Sequence, residues 1–143
     1  MERTRKIVPV AVAVILDKDM EHVLLQRRDH NTGVEGLDGM WELPGGKIEF
    51  GETPEETVQR EIAEELKVIV KIMRHYPVCL RTNIWRHPDF DMHVLLIPYW
   101  CQIMDTAGLG SWVFEKARWF RVTGINYSTT LPGTREMIEA VFK

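Results

Sequence analysis

The stretch Gly45–Leu66, GGKIEFGETPEETVQREIAEEL, decides how the rest of the chain is read. Its second half carries the strongest local helix signal in the sequence. Thr53 suits the N-cap, Pro54 falls at the first helical position, where a missing N–H is no loss, and Glu56 completes a capping box. The spacing predicts a helix from Pro54 to about Leu66. At about 100° per residue, Glu61, Glu64 and Glu65 form one stripe, bordered by an apolar stripe of Val58, Ile62 and Leu66. Between Glu49 and Glu65 lie seven glutamates and one arginine, in a chain whose net charge is only −3. Like charges three and four residues apart disfavour a helix by roughly 0.2–0.5 kcal/mol per pair, so the stripe calls for a positive partner. Arg60 can bridge to Glu56 and Glu64. A hard divalent cation is the more natural partner for three carboxylates, because Mg²⁺ takes carboxylate and carbonyl oxygens and leaves its other positions to water and phosphate. A merely solvated acidic face has the same composition. The loop before the helix favours the cation, since Gly45, Gly46 and Gly51 permit close backbone approach or positive φ next to a capped helix.

Outward from this stretch, the chain reads as a mixed α/β domain. Its 143 residues, 45% hydrophobic and 27% charged, suit one core, and one domain over residues 1–143 is expected. IVPVAVAVIL (Ile7–Leu16) and HVLLQRR (His22–Arg28) read as a β-hairpin or two neighbouring strands. DHNTGVEGLDG (Asp29–Gly39) is a polar, glycine-rich loop, and MWEL (Met40–Leu43) a short strand stopped by Pro44-Gly45-Gly46. Further strand regions are VIVKIM with YPVCLRT, then MHVLLIPYWCQI, in which Pro98 points to a bulge or an edge, then WVFEKARWFRV. PGTREMIEAVF closes the chain as a helix with Met137, Ile138, Val141 and Phe142 on one side. The apolar run Ile7–Leu16 is about half the length of a membrane span, no targeting segment is read, and no Lys/Arg cluster marks a nucleic-acid surface. Cys79 and Cys101, each in an apolar stretch, read as reduced thiols, and the expected location is cytoplasmic. A homodimer is compatible with the sequence.

From Gly46 to Val68 the chain reads Gly, five residues, Glu52, seven residues, Arg60-Glu61-Ile62, one residue, Glu64-Glu65, then Leu66-Lys67-Val68. This resembles the Nudix box of the Nudix hydrolases, the MutT-like family, at every defined position except that Lys67 replaces the usual glycine. The resemblance implies an α/β/α sandwich with a mixed sheet between helices, and Mg²⁺-dependent (or Mn²⁺-dependent) attack of water on a pyrophosphate linkage of a nucleotide. Carried over by position, it makes Glu61 and Glu65 metal ligands with the Gly45 carbonyl, and Glu64 a further ligand or the general base. Arg60 orients a glutamate, and Glu52 is a secondary ligand or hydrogen-bond anchor. Glu115 is the candidate for an additional ligand from outside the box, against a plain solvated charge. Replacing glycine by Lys67 at a left-handed helix end costs about 1 kcal/mol, so a reshaped helix end is expected.

Substrate recognition is written less clearly. Arg28 stands where a MutT-like enzyme has a phosphate- or substrate-contacting arginine, Trp41 is a base-stacking or core residue, and Thr134 stands where a base-reading asparagine is found in relatives that cleanse oxidised guanine nucleotides. His87, Asp89, Asp91 and His93 alternate like metal ligands, but Pro88 favours a solvated hairpin. The leading expectation is hydrolysis of a (deoxy)nucleoside triphosphate to monophosphate and pyrophosphate. The alternatives are ADP-ribose, a nucleotide sugar or a dinucleoside polyphosphate as substrate, a non-catalytic nucleotide sensor, or an isoprenoid diphosphate isomerase; neither cysteine lies in a motif that would support the last.

Overall fold

The computed structural model describes residues 3–28, 36–104 and 114–143. Asp29–Glu35 of the glycine-rich loop and Trp112-Val113 of the last expected strand lie outside the described residues. The elements are β1 (Thr4–Ile15), β2 (His22–Arg27), β3 (Trp41–Glu42), β4 (Gly45–Lys47), α1 (Pro54–Leu66), β5 (Val70–Ile72), β6 (Arg81–Arg86), β7 (Phe90–Ile103), β8 (Ala117–Arg121) and α2 (Thr134–Val141). One mixed sheet runs β4-β1-β7-β5, with β6 also paired to β7, and a second, antiparallel sheet runs β3-β2-β8. β1 and β7 pair in parallel from Thr4↔Phe90 to Ile15↔Cys101. No helix among the described residues is long and apolar enough to cross a membrane.

The C-terminal half of β1 is buried on both faces, as the unbroken apolar run AVAVIL requires. Because strand side chains alternate, Ala11, Ala13 and Ile15 meet Val58, Ile62 and Leu66 of α1, while Val12, Val14 and Leu16 meet Met137, Ile138 and Val141 of α2. β2 repeats the division, with Leu24 on the α1 side and Val23 and Leu25 on the α2 side. Helices therefore cover both faces of the β layer, with the strands divided between two sheets.

Several local expectations change. β1 and β2 do not form a hairpin ladder: they share the single bridge Leu16↔Val23 and then enter different sheets. Asp17 makes the turn between them, its carboxylate accepting from the backbone N–H groups of Glu21 and His22. Gly45–Lys47 is a strand where a stop was expected, pairing as Val10↔Lys47 and Val12↔Gly45. Tyr76–Leu80 is not strand, and β6 starts at Arg81. Pro98 lies in an interior strand. Its register with Val12 is unbroken, and on the other side it occupies the gap between β6, which ends at Arg81↔Leu96, and β5, which begins at Ile72↔Cys101, so its lacking N–H breaks no ladder. Phe142 is half exposed at the end of α2, off the buried stripe of Thr134, Met137, Ile138 and Val141. Cys79 and Cys101 are both free thiols. The β6–β7 turn is a structural hairpin: the Asp91 carboxylate accepts from Arg3 and Arg86 at 3.1 and 2.8 Å, and His87 stacks on Phe90.

Candidate active site

The N-terminal end of α1 is built as its sequence predicts. Thr53 accepts from the Glu56 N–H, and the Glu56 carboxylate accepts from the Thr53 N–H. Glu56 is thereby occupied, and Arg60 does not bridge to it. Instead the guanidinium gathers the other carboxylates, with Nε donating to Glu52 Oε2 at 2.6 Å and Nη1 donating to Glu61 Oε1 at 3.0 Å and to Glu64 Oε2 at 3.3 Å. The Glu52 carboxylate also accepts from the Glu49 N–H and the Thr57 hydroxyl. The Arg60 bonds, then the Glu49 N–H, hold the Glu52 pKa down to about 2. Arg60 is pushed up in turn, chiefly by its bonds to Glu52. Glu52 thus ties the glycine loop to the middle of the helix.

Glu61 and Glu65, one turn apart, face each other. Gly46 makes this possible, because a Cβ there would overlap the Glu61 carboxyl, which lies against the backbone of β4. Gly45 is required for a different reason, since a Cβ there would overlap the Ala11 carbonyl and Val12 backbone of the neighbouring strand. Glu65 is exposed as a residue, yet loss of water around its carboxyl, then a hydrogen bond shared with Glu61 and the Glu61 charge, raise its pKa to about 7. Gln26 hydrogen-bonds the Glu65 carboxylate and opposes the rise, and the Glu42 charge adds to it. Glu64 is turned outward, its side chain 61% exposed. Among the described residues no three carboxylate, imidazole or thiol groups converge as a ready metal cluster. Glu61 and Glu65 therefore pair directly, and Glu64 is joined to them through Arg60 Nη1, which it shares with Glu61. The pair still fits a hard divalent cation: its donors are all oxygen, a cation would relieve the same repulsion that raises the Glu65 carboxyl, and the Gly46 gap leaves the site open to backbone.

Two concavities lie close by, one lined by Glu65 and the other by Gly46. A groove is lined by Gln26, Arg28, Glu42, Glu65, Lys67 and Glu115, among others, so Glu115 does share a surface with Glu65. On the other side of β4, a cavity of about 200 Å³ has a largely apolar wall that includes Val94, Leu96 and Met137. Arg28 and Glu42 line both spaces, joined by an Arg28 Nη1–Glu42 Oε2 hydrogen bond of 3.0 Å. Arg28 Nε is buried and, among the described residues, has no hydrogen-bond partner. Thr134, at the first position of α2 and 1% exposed, forms part of the cavity wall. Trp41 does not line it; its ring packs edge-on against Phe120 at 4.9 Å, in the core under α2. Two residues that sequence reading passed over do line it, Asn83 and Trp85 of β6. Asn83 Nδ2 donates to the Pro132 carbonyl, and among the described residues its Oδ1 has no partner. Their one local signal was alternation with Thr82, Ile84 and Arg86, which face solvent.

Comparison with known proteins identifies the family. The family model described as NUDIX domain matches residues 7–141. The ADP-ribose pyrophosphatase of Methanocaldococcus jannaschii is 36% identical over 101 residues, covering 69% of this chain and 52% of that protein, so the match spans about half of that relative's length. An 8-oxo-dGTP diphosphatase of Proteus vulgaris is 38% identical over 94 residues, covering 64% of this chain and 73% of that protein. The fold is similar to the crystal structure of a MutT NUDIX hydrolase from Burkholderia pseudomallei, with a TM-score of 0.64 at 22% identity, covering 94% of this chain and 98% of that one.

Proposed function

The chain belongs to the Nudix family and is a Nudix hydrolase, and from that premise we propose that its substrate is a nucleoside or deoxynucleoside triphosphate, cleaved by water to the monophosphate and pyrophosphate. The observation that carries the reading is the Glu61–Glu65 pair, with Glu61 seated on Gly46, which lines an apolar cavity, and Glu65 lining a groove that shares Arg28 with that cavity. Glu61 and Glu65, with the Gly45 carbonyl, would hold Mg²⁺ (or Mn²⁺), and Glu64 and Glu115 are the further oxygen donors nearby. A bound divalent cation would neutralise phosphoryl charge and lower the pKa of water.

The protein's own residues do the positioning. Arg60 holds Glu61 in place and tethers Glu64, which remains free enough in solvent to accept a proton from attacking water. Glu52 is an anchor, because its oxygens are committed to Arg60, Thr57 and the Glu49 N–H. Arg28, which lines both groove and cavity, would meet the phosphate chain where the two spaces adjoin. The base would enter the cavity beside Trp85, Thr134 and Asn83, whose free Oδ1 suits a base with an exocyclic amine. Two free thiols suit a cytoplasmic location.

A panel of nucleotides incubated with Mg²⁺ in ¹⁸O-labelled water tests this. Monophosphate and pyrophosphate are expected, with activity lost in chelator and restored by metal. Release of inorganic phosphate with a diphosphate product contradicts the reaction, and full turnover in excess chelator contradicts the metal requirement. Exclusive turnover of ADP-ribose or a dinucleoside polyphosphate keeps the reaction class and overturns the choice of substrate.

A further inference from the structure

Lys67 is one of two non-glycine residues with positive φ among the described residues, the other being Met20. It forms the C-cap of α1 at φ 59° and ψ 31°, so the helix end is not reshaped and the lysine takes the left-handed conformation that glycine would adopt more easily. Its Nζ folds back and donates to the Glu64 carbonyl at 2.7 Å. An ammonium has three donors, so two remain, and among the described residues no carboxylate forms an ion pair with it. Lys67 also lines the groove beside Glu65, whereas Arg28 in the same groove is paired with Glu42. The groove carries the carboxylates of Glu42, Glu65 and Glu115 beside the cations Arg27, Arg28, Lys67 and Lys116, and a cation whose charge is not already neutralised attracts a polyphosphate there. The left-handed cap position places this ammonium in the groove wall next to Glu65 and Leu66.

We propose that Lys67 binds the outer phosphates of the polyphosphate substrate, a specificity contact made possible by its left-handed cap position. The proposal rests on the nucleotide-hydrolase reading and deepens it.

Calorimetric binding of pyrophosphate in the presence of Mg²⁺, together with thermal unfolding, tests it on the wild type, Lys67→Gln and Lys67→Gly. Lys67→Gln keeps the backbone strain and removes the charge. Lys67→Gly removes both. Both variants are expected to bind pyrophosphate about tenfold more weakly, the effect of one charge-assisted hydrogen bond, and to lose part of the salt dependence of binding. Lys67→Gly is expected to melt no lower than Lys67→Gln. Binding by both variants within about twofold of wild type overturns the proposal, as does a wild type that does not bind pyrophosphate. If binding depends on Lys67 but no nucleotide is hydrolysed, the substrate reading fails and the Lys67 contact stands; if nucleotides turn over and Lys67→Gln changes nothing, the reverse holds.

Discussion

On one side of β1, Ala11, Ala13 and Ile15 meet a helix whose outer edge is charged; on the other, Val12, Val14 and Leu16 meet a helix whose edge opens on an apolar cavity. α1 is specified by its own ends, with a reciprocal capping box at Thr53 and Glu56 and a left-handed cap at Lys67. α2 follows an N-cap glycine, Gly133, with φ 92° and no side-chain cap, and has only eight residues. A helix that short is not stable alone. Its Met137, Ile138 and Val141 hold it by packing. The difference separates a helix that carries chemistry from one that shapes a space.

Exchanging the roles of the two helices gives the largest effects. Glu65→Gln is expected to lower turnover at least about a hundredfold, roughly 2.7 kcal/mol in the barrier, with the apoprotein no less stable because a like-charge pair with Glu61 is relieved. Ile138→Ala, at a position 0% exposed, is expected to do the opposite, costing about 2–5 kcal/mol of stability while folded protein keeps its metal-dependent turnover. Denaturant unfolding and steady-state kinetics check both. Glu55→Gln, whose carboxylate contacts exposed His75 and not the Glu61–Glu65 pair, is the charge control. Equal rates for Glu55→Gln and Glu65→Gln would remove the carboxylate pair from the active site.

Adjacent glycines sharpen the same contrast. Gly46→Ala pushes a methyl into the Glu61 carboxyl, a side-chain end that can move away, so turnover is expected to fall at least about tenfold, roughly 1.4 kcal/mol in the barrier, with little unfolding. Gly45→Ala pushes into the backbone of β1, which cannot yield, and is expected to cost about 1–3 kcal/mol of stability. Melting temperatures in that order would support the geometry, and the reverse order would contradict it.

The helix start gives a smaller, purely structural effect. Thr53→Ala removes the N-cap acceptor and is expected to cost about 1 kcal/mol of stability, with turnover of the folded protein near wild type.

The least change is expected for Glu52 as a function of pH. Its folded pKa lies near 2, below the ordinary 4.5 of a free glutamate, so its contribution is fully present above 4.5 and is lost as pH falls toward 2. Glu52→Gln is therefore expected to lower the melting temperature at neutral pH and to approach wild type near pH 2. A gap that stays constant across that range would exclude the ion pair with Arg60 as its source.

Sequence alone determined what depends on neighbours along the chain. The limits of α1 follow from Thr53, Pro54, Glu56 and the helical period, and the Glu61 and Glu65 candidates from their one-turn spacing, because capping and helical spacing are local. Tertiary structure decided what depends on distant partners. Gly45 and Gly46 form a strand despite their poor strand propensity, because they pair with Val12 and Ala11 of β1, where a Cβ on Gly45 would meet that strand and one on Gly46 would meet the Glu61 carboxyl. Arg60 left Glu56 for Glu52, eight residues back, because the glycine loop folds over the helix and the capping box had already taken Glu56. Asn83 and Trp85 reach the cavity only because β6 pairs with the N-terminal half of β7 and faces α2 across it. No local pattern encodes that pairing, since the free energy of a cavity wall belongs to the packed elements together and to none of their segments separately.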